Sequence, residues 1–192
     1  MKGLAFIMLI TFRKVIIVPF LSLNYQPTNH YGIALCIAVL SVCMSASAWA
    51  QTRIVIDKSE FTLTLYNGKE VVKVYPVAVG KNPGDKEKVG DMRTPIGKFR
   101  IVSIHDSRAW THDFKDGKGE IKGAYGPWFL RLYTGKDATV SGKAWKGIGI
   151  HGTHVPESIG TCATEGCIRL KNEDIADLKT RVKIGTPVEI RE

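Results

Sequence analysis

The segment Phe61-Thr62-Leu63-Thr64-Leu65-Tyr66 alternates apolar and polar positions at a period of two, as a strand does when one face lies on a core. Asn67-Gly68 follows, a pair that tolerates the positive φ angles of a tight hairpin turn, and Val71 to Val79 supplies the return strand. Arg53 to Asp57 predicts a strand before this hairpin. Lys98 to Ile104, Phe129 to Tyr133, Gly147 to His151 and Pro187 to Arg191 predict others after it. Helical periodicity occurs late in the chain: behind Asn172, a suitable N-cap, Ile175, Leu178 and Val182 share one face. The strands do not alternate with helices as a parallel sheet would require. A single mostly-β domain, sandwich-like or barrel-like with one or two short helices, is therefore expected. Two polar stretches, Gly80 to Pro95 and Asp106 to Gly126, are long for structureless loops and are expected to wall or cover a site.

The pattern changes at residue 51. The first fifty residues hold no Asp or Glu, Ile33 to Met44 is an apolar run, and Ala48-Trp49-Ala50 has the small-residue spacing of a secretory cleavage site. Residues 1–50 are expected to be a leader with a signal peptide cut after Ala50, and residues 51–192 the mature domain. An uncleaved N-terminal anchor is the alternative. The apolar run falls short of the ~20 residues that span a bilayer, so no stable membrane insertion of the mature domain is expected.

Charge and cysteine content narrow the setting. Lys2, Arg13 and Lys14 leave with the leader, which lowers the formal charge from +9 to +6. Aromatic residues are not interleaved with dense Lys/Arg runs, and export argues against a nucleic-acid partner. An anionic partner such as a cell envelope fits the basic balance, as does a merely solvated surface. Of four cysteines, only Cys162 and Cys167 lie beyond the leader. In an oxidising compartment they invite a disulfide, but the small loop it would close makes a weak staple. Cys162 reads as an ordinary loop residue, with redox pairing to Cys167 as the alternative.

The chemistry-bearing segment runs from Ile150-His151-Gly152-Thr153-His154 to Glu165-Gly166-Cys167-Ile168-Arg169-Leu170. A thiol is a strong nucleophile only as thiolate, so it needs a base or a lowered pKa, and histidine supplies the base. Gly166 permits a sharp turn in which successive amides can face a developing oxyanion. Arg169 can add positive field or hold a carboxylate. His151, His154, Cys162 and Cys167 also form an H-x2-H-x7-C-x4-C set that suits zinc chemically, although not at finger or ribbon spacing. A buried cysteine with two surface histidines is the plainest alternative. His105 and His112 stand outside any constellation, and Trp110 is the aromatic residue best placed to face a cleft, with Trp128 and Phe129 in the core.

The stretch Ile150 to Arg169 resembles the active-site signature of the L,D-transpeptidase family with the YkuD-type catalytic domain. Asp91-Met92-Arg93-Thr94-Pro95-Ile96-Gly97-Lys98-Phe99, Gly123 to Phe129, and the strand entry Gly185-Thr186-Pro187-Val188 are also similar to family elements, so the likeness covers roughly Arg53 to Ile190. The resemblance implies a mostly-β domain with no metal or organic cofactor, acting on peptidoglycan tetrapeptide stems in the periplasm or cell envelope. It implies Cys167 as nucleophile, His151 as base and the Gly152 carbonyl as the group that orients the imidazole. Amides around Gly166 and Cys167 would form the oxyanion hole, with Arg169 and Thr164 supporting the site. D-Alanine would leave, and an amine of a second stem, a lipoprotein lysine or water would resolve the thioester. His154 is the alternative base. Thr164 departs from the usual Ser, and Glu165 sets a carboxylate beside the thiol, where it opposes thiolate formation unless paired.

Overall fold

The computed structural model describes residues 9–11, 14–16 and 51–192. Leu9–Thr11 (β1) and Lys14–Ile16 (β2) pair antiparallel, and the apolar run and cleavage site expected in the leader lie outside the described residues.

From Gln51 onward the chain is mostly β, as its periodicity predicts. The long strands are β3 (Thr52–Asp57), β4 (Thr62–Asn67), β5 (Glu70–Pro76), β7 (Gly97–Asp106), β10 (Trp128–Tyr133) and β14 (Pro187–Arg191). Short ones are β6 (Val79–Gly80), β8 (Thr111–Asp113), β9 (Glu120–Lys122), β11 (Gly149–His151), β12 (Cys162–Thr164) and β13 (Ile168–Arg169). One helix, α1 (Asn172–Arg181), follows β13. Eight strands form one sheet in the order β13-β11-β10-β7-β14-β3-β4-β5, and β6 pairs with β12, β8 with β9.

Alternation sets the core. Leu63 and Leu65 on β4 are buried opposite Ile56 and Ile54 on β3, while Thr62, Thr64 and Tyr66 between them are only partly covered. Gly68 takes φ 61° in the turn that the Asn-Gly pair predicted. β14 slots between β3, to which it runs parallel, and β7, to which it runs antiparallel, so the end of the chain ties both halves of the sheet together. Curling of the sheet is visible at α1. Its buried Ile175 and Leu178 pack where β10 and β11 run, yet its Asp177 accepts hydrogen bonds from Lys73 (2.9 Å) and Tyr75 (2.8 Å) on β5, the opposite edge. Burying two such aliphatic side chains stabilises the docked helix by about 1.5–3 kcal/mol each.

Three expectations need correcting. Asn172 is the first helical residue and not the N-cap; extended Lys171 precedes it, and the Asn172 Oδ1 instead accepts the Thr153 amide at 2.8 Å. The return strand stops at Pro76, because Ala78 leaves β4 and bridges Arg169, and Val79–Gly80 turns to β12. The stretch Asp106 to Gly126 is no plain loop: it carries the β8–β9 hairpin. The other long stretch, Gly80 to Pro95, is organised around buried Asp91. Its carboxylate accepts Lys86 Nζ at 2.6 Å and the amides of Glu87, Lys88 and Arg93. Burial raises the Asp91 pKa, but Lys86 and these amides outweigh it and hold the group well below the ordinary carboxylate range.

Candidate active site

His151 ends β11, and ring contacts and a backbone hydrogen bond hold its imidazole in place. Antiparallel pairing sets Phe129 of β10 opposite it, and the two rings stack at 5.4 Å between centroids with an interplanar angle of 5°. Tyr125 closes a second side edge-on at 5.0 Å. The Nδ1 lies 2.6 Å from the carbonyl oxygen of Gly152. A carbonyl only accepts, so Nδ1 carries the proton and Nε2 keeps a lone pair. Burial then depresses the imidazole pKa to about 3, only partly opposed by that carbonyl, and the ring is neutral at physiological pH.

Cys167 reaches the same place from the neighbouring strand. β13 runs parallel to β11 with Ile150 beside Ile168 and His151 beside Arg169, which sets Cys167, the residue before Ile168, alongside Gly149. Its Sγ donates to the Gly147 carbonyl at 3.4 Å. Burial raises the thiol to about 11, against stabilisation of the thiolate by the Gly149 amide, Arg131 and Arg169 and opposition from Glu165. Thiol and imidazole are thus both uncharged at rest.

The turn between β12 and β13 is built on Gly166 and Thr164. Gly166 adopts φ 130°, and a Cβ there would meet the Arg93 carbonyl oxygen at 2.7 Å, so only glycine fits without strain. The Thr164 hydroxyl donates to the Cys167 carbonyl at 2.6 Å and accepts the Gly166 amide at 3.1 Å. That amide is committed inside the turn and does not face an oxyanion, which leaves the Cys167 amide from the expected pair. Gly152 is also confined, since a Cβ would meet Pro127 Cδ at 2.9 Å. Arg169 is buried at 5% exposure with one guanidinium nitrogen on Ser158 Oγ at 2.9 Å, and its Nε has no partner. Burial lowers its pKa, with Cys167 and Glu165 acting in the opposite direction.

A cavity of about 720 Å³ joins these groups, lined among others by His151, Cys167, Arg169, Glu165, His112 and Trp145. The set His151, His154, Cys162 and Cys167 is not gathered: among the described residues no three His, Cys, Asp or Glu side chains converge as metal ligands. Cys162 is exposed on β12 and unpaired with Cys167, and His154 instead stacks on Phe114 at 5.3 Å.

A family model described as the YkuD L,D-transpeptidase catalytic domain matches residues 51–190. The chain belongs to the YkuD L,D-transpeptidase family. A Bacillus licheniformis relative bearing the L,D-transpeptidase YkuD name is 33% identical over 138 residues, which cover 72% of this chain and 64% of that protein. A Bacillus subtilis relative of the same name is 33% identical over 129 residues, covering 67% of this chain and 59% of that protein. The chain therefore spans about three fifths of the length of these relatives. Among solved structures, L,D-transpeptidase 3 from Mycobacterium tuberculosis, in complex with a faropenem-derived adduct, shares the fold. It matches with a TM-score of 0.52 and 21% identity over 73% of this chain and 60% of that one.

Sequence reasoning missed His112 in this YkuD domain. It sits on β8, with Nε2 3.1 Å from Glu165 Oε2 and its ring against Phe114 and Tyr125. Glu165 is thus paired. A three-residue strand inside a polar stretch gives no periodicity, and the partner lies 53 residues away, so no local signal pointed to it. Trp110 packs against Phe129 at 5.5 Å and Tyr125 at 6.1 Å and lines a neighbouring cleft with Arg131 and Gly147, while Trp145 is the tryptophan that lines the cavity holding Cys167.

Proposed function

We propose that this domain is a cysteine-dependent L,D-transpeptidase acting on peptidoglycan tetrapeptide stems, with Cys167 as nucleophile and His151 as base. The observation that carries the reading is the tautomer of His151: with its Nδ1 proton held by Gly152, Nε2 is the basic nitrogen in the cavity that Cys167 also lines. Because both groups are neutral at rest, the proton leaves sulfur only when substrate is in place. His151 Nε2 takes the thiol proton as sulfur adds to the carbonyl of the diamino acid. The C–N bond to D-alanine then breaks, the imidazolium returns the proton to the departing amine, and a thioester remains on Cys167. An amine of a second stem or of a lipoprotein lysine attacks that thioester, and His151 carries its proton to the released sulfur.

The Cys167 amide is the donor in this scheme for the tetrahedral oxyanion, supported by the positive field of Arg169. Thr164 acts by closing the turn that presents the thiol. In this reading the domain works in the periplasm or cell envelope after loss of residues 1–50. The test is incubation with a disaccharide tetrapeptide followed by mass spectrometry. Loss of D-alanine with formation of a cross-linked dimer is expected. Loss without dimer identifies a hydrolase of wall peptides on the same fold, and no loss overturns both.

A further inference from the structure

The cavity is chemically lopsided. Lys86, Lys146 and Arg169 line it together with His112 and His151, whereas Glu165 is its one lining carboxylate among the described residues. The Lys86 charge is already spent on Asp91, at 2.6 Å. Glu165 sits two residues before Cys167, and its side chain is 38% exposed, so one pole of the cavity is negative and accessible within reach of the reacting sulfur. That carboxylate is also held in place. His112 Nε2 is 3.1 Å from Oε2, and the His112 ring is wedged between Phe114 at 4.5 Å and Tyr125 at 5.5 Å. A carboxylate has about four lone-pair sites, so one bond from His112 leaves most of its accepting capacity for a ligand.

A carboxylate beside a nucleophilic cysteine is a liability for thiolate formation, as its opposing effect on Cys167 shows. It needs a compensating use. The two reactants of a transpeptidation differ in charge: the donor end carries a carboxylate, which the basic groups suit, and the acceptor arrives as an ammonium. We infer that Glu165, positioned by His112, is the recognition group for the ammonium of the acceptor and selects cationic amines over neutral nucleophiles. This rests on the transpeptidase reading above. The acceptor docks as R–NH3+ on Glu165 and releases one proton to water. The free amine then forms the C–N bond at the thioester carbonyl while the C–S bond breaks, and its second proton passes through His151 to sulfur. His112 is a positioning residue in this scheme and touches no reacting atom.

The experiment is a competition for one acyl-enzyme pool. Wild type and Glu165→Gln are supplied with a tetrapeptide donor, a diamino-acid acceptor that is cationic at pH 7, and hydroxylamine, which is neutral there. The amide-to-hydroxamate ratio is then read by mass spectrometry. Both products come from the same thioester, so the ratio does not depend on how much of a variant folds or how fast it acylates. Loss of a charge-assisted hydrogen bond should lower the ratio about tenfold or more in Glu165→Gln, and by less in His112→Ala, which frees the carboxylate without removing it. An unchanged ratio in Glu165→Gln overturns the inference. So does a variant that slows D-alanine release while keeping the ratio, since Glu165 would then be reading an ammonium on the donor. If wild type releases no D-alanine, the transpeptidase reading itself fails, which is a separate outcome.

Discussion

His151 and His112 line the same cavity from two different kinds of support. His151 belongs to the sheet: it is buried, stacked on Phe129 from the adjacent strand and tied to the backbone carbonyl of its own neighbour. His112 belongs to a short hairpin, is partly exposed, and is held by the side chain of Glu165 and by ring contacts with Phe114 and Tyr125. The first arrangement determines which nitrogen is basic and keeps the ring uncharged. The second aims a charge. A backbone tether selects a tautomer at no cost in side-chain freedom, while a side-chain tether leaves both partners open to exchange.

The contrast is breakable. The largest effect is expected from His151→Gln, which should slow acylation of Cys167 by roughly 10²–10⁴-fold, in stopped-flow or intact-mass time courses with a carbapenem. His112→Gln should slow the same step by less than about tenfold, because in the proposed scheme it touches no proton in flight. Equal losses in the two variants would erase the distinction. Gly166→Ala comes next. With φ at 130° and a carbonyl in the way, it should lose about 1–3 kcal/mol in urea unfolding and acylate poorly, because the turn presenting the thiol must shift. Asn172→Ala strands the buried Thr153 amide beside Gly152 and should cost about 1–2 kcal/mol, with a smaller loss of rate.

The last effect is on pH dependence and not on rate. The folded His151 pKa, near 3, lies below the ordinary imidazole value of 6.5, so between those limits the unfolded chain binds the extra proton. The stability contributed by neutral His151 is therefore complete above pH 6.5 and declines as pH falls toward 3. His151→Gln should flatten that decline by up to about 1.4 kcal/mol per pH unit, measured as unfolding free energy between pH 6 and pH 4.

Much of the sheet was legible because its signal is local. β4 begins one residue inside the alternating segment, and β14 coincides with the predicted Pro187 to Arg191. The segment around Cys167 was legible for a related reason: β11 and β13 are neighbours in the sheet, so one parallel pairing brings two segments distant in sequence to the lining of a single cavity. What local pattern does not carry is the use of a side chain at a distance. Asn172 has the right chemistry for a cap, but the Thr153 amide, 19 residues away, claims its oxygen. The Gly166 amide looks available for an oxyanion until the Thr164 hydroxyl, two residues earlier, takes it. The Glu165 pairing depends on how the β8–β9 hairpin folds over, which is decided by ring packing and not by periodicity.

The parallel pairing of β11 with β13 distinguishes the proposed reacting pair from the walls that surround it. Gly80 to Pro95 and the β8–β9 hairpin leave the sheet before β11 begins and carry neither the imidazole nor the thiol. On the proposed roles, a change in the β8–β9 hairpin that moves His112 alters how Glu165 is held, and so which nucleophile is admitted, without touching the strand that carries His151.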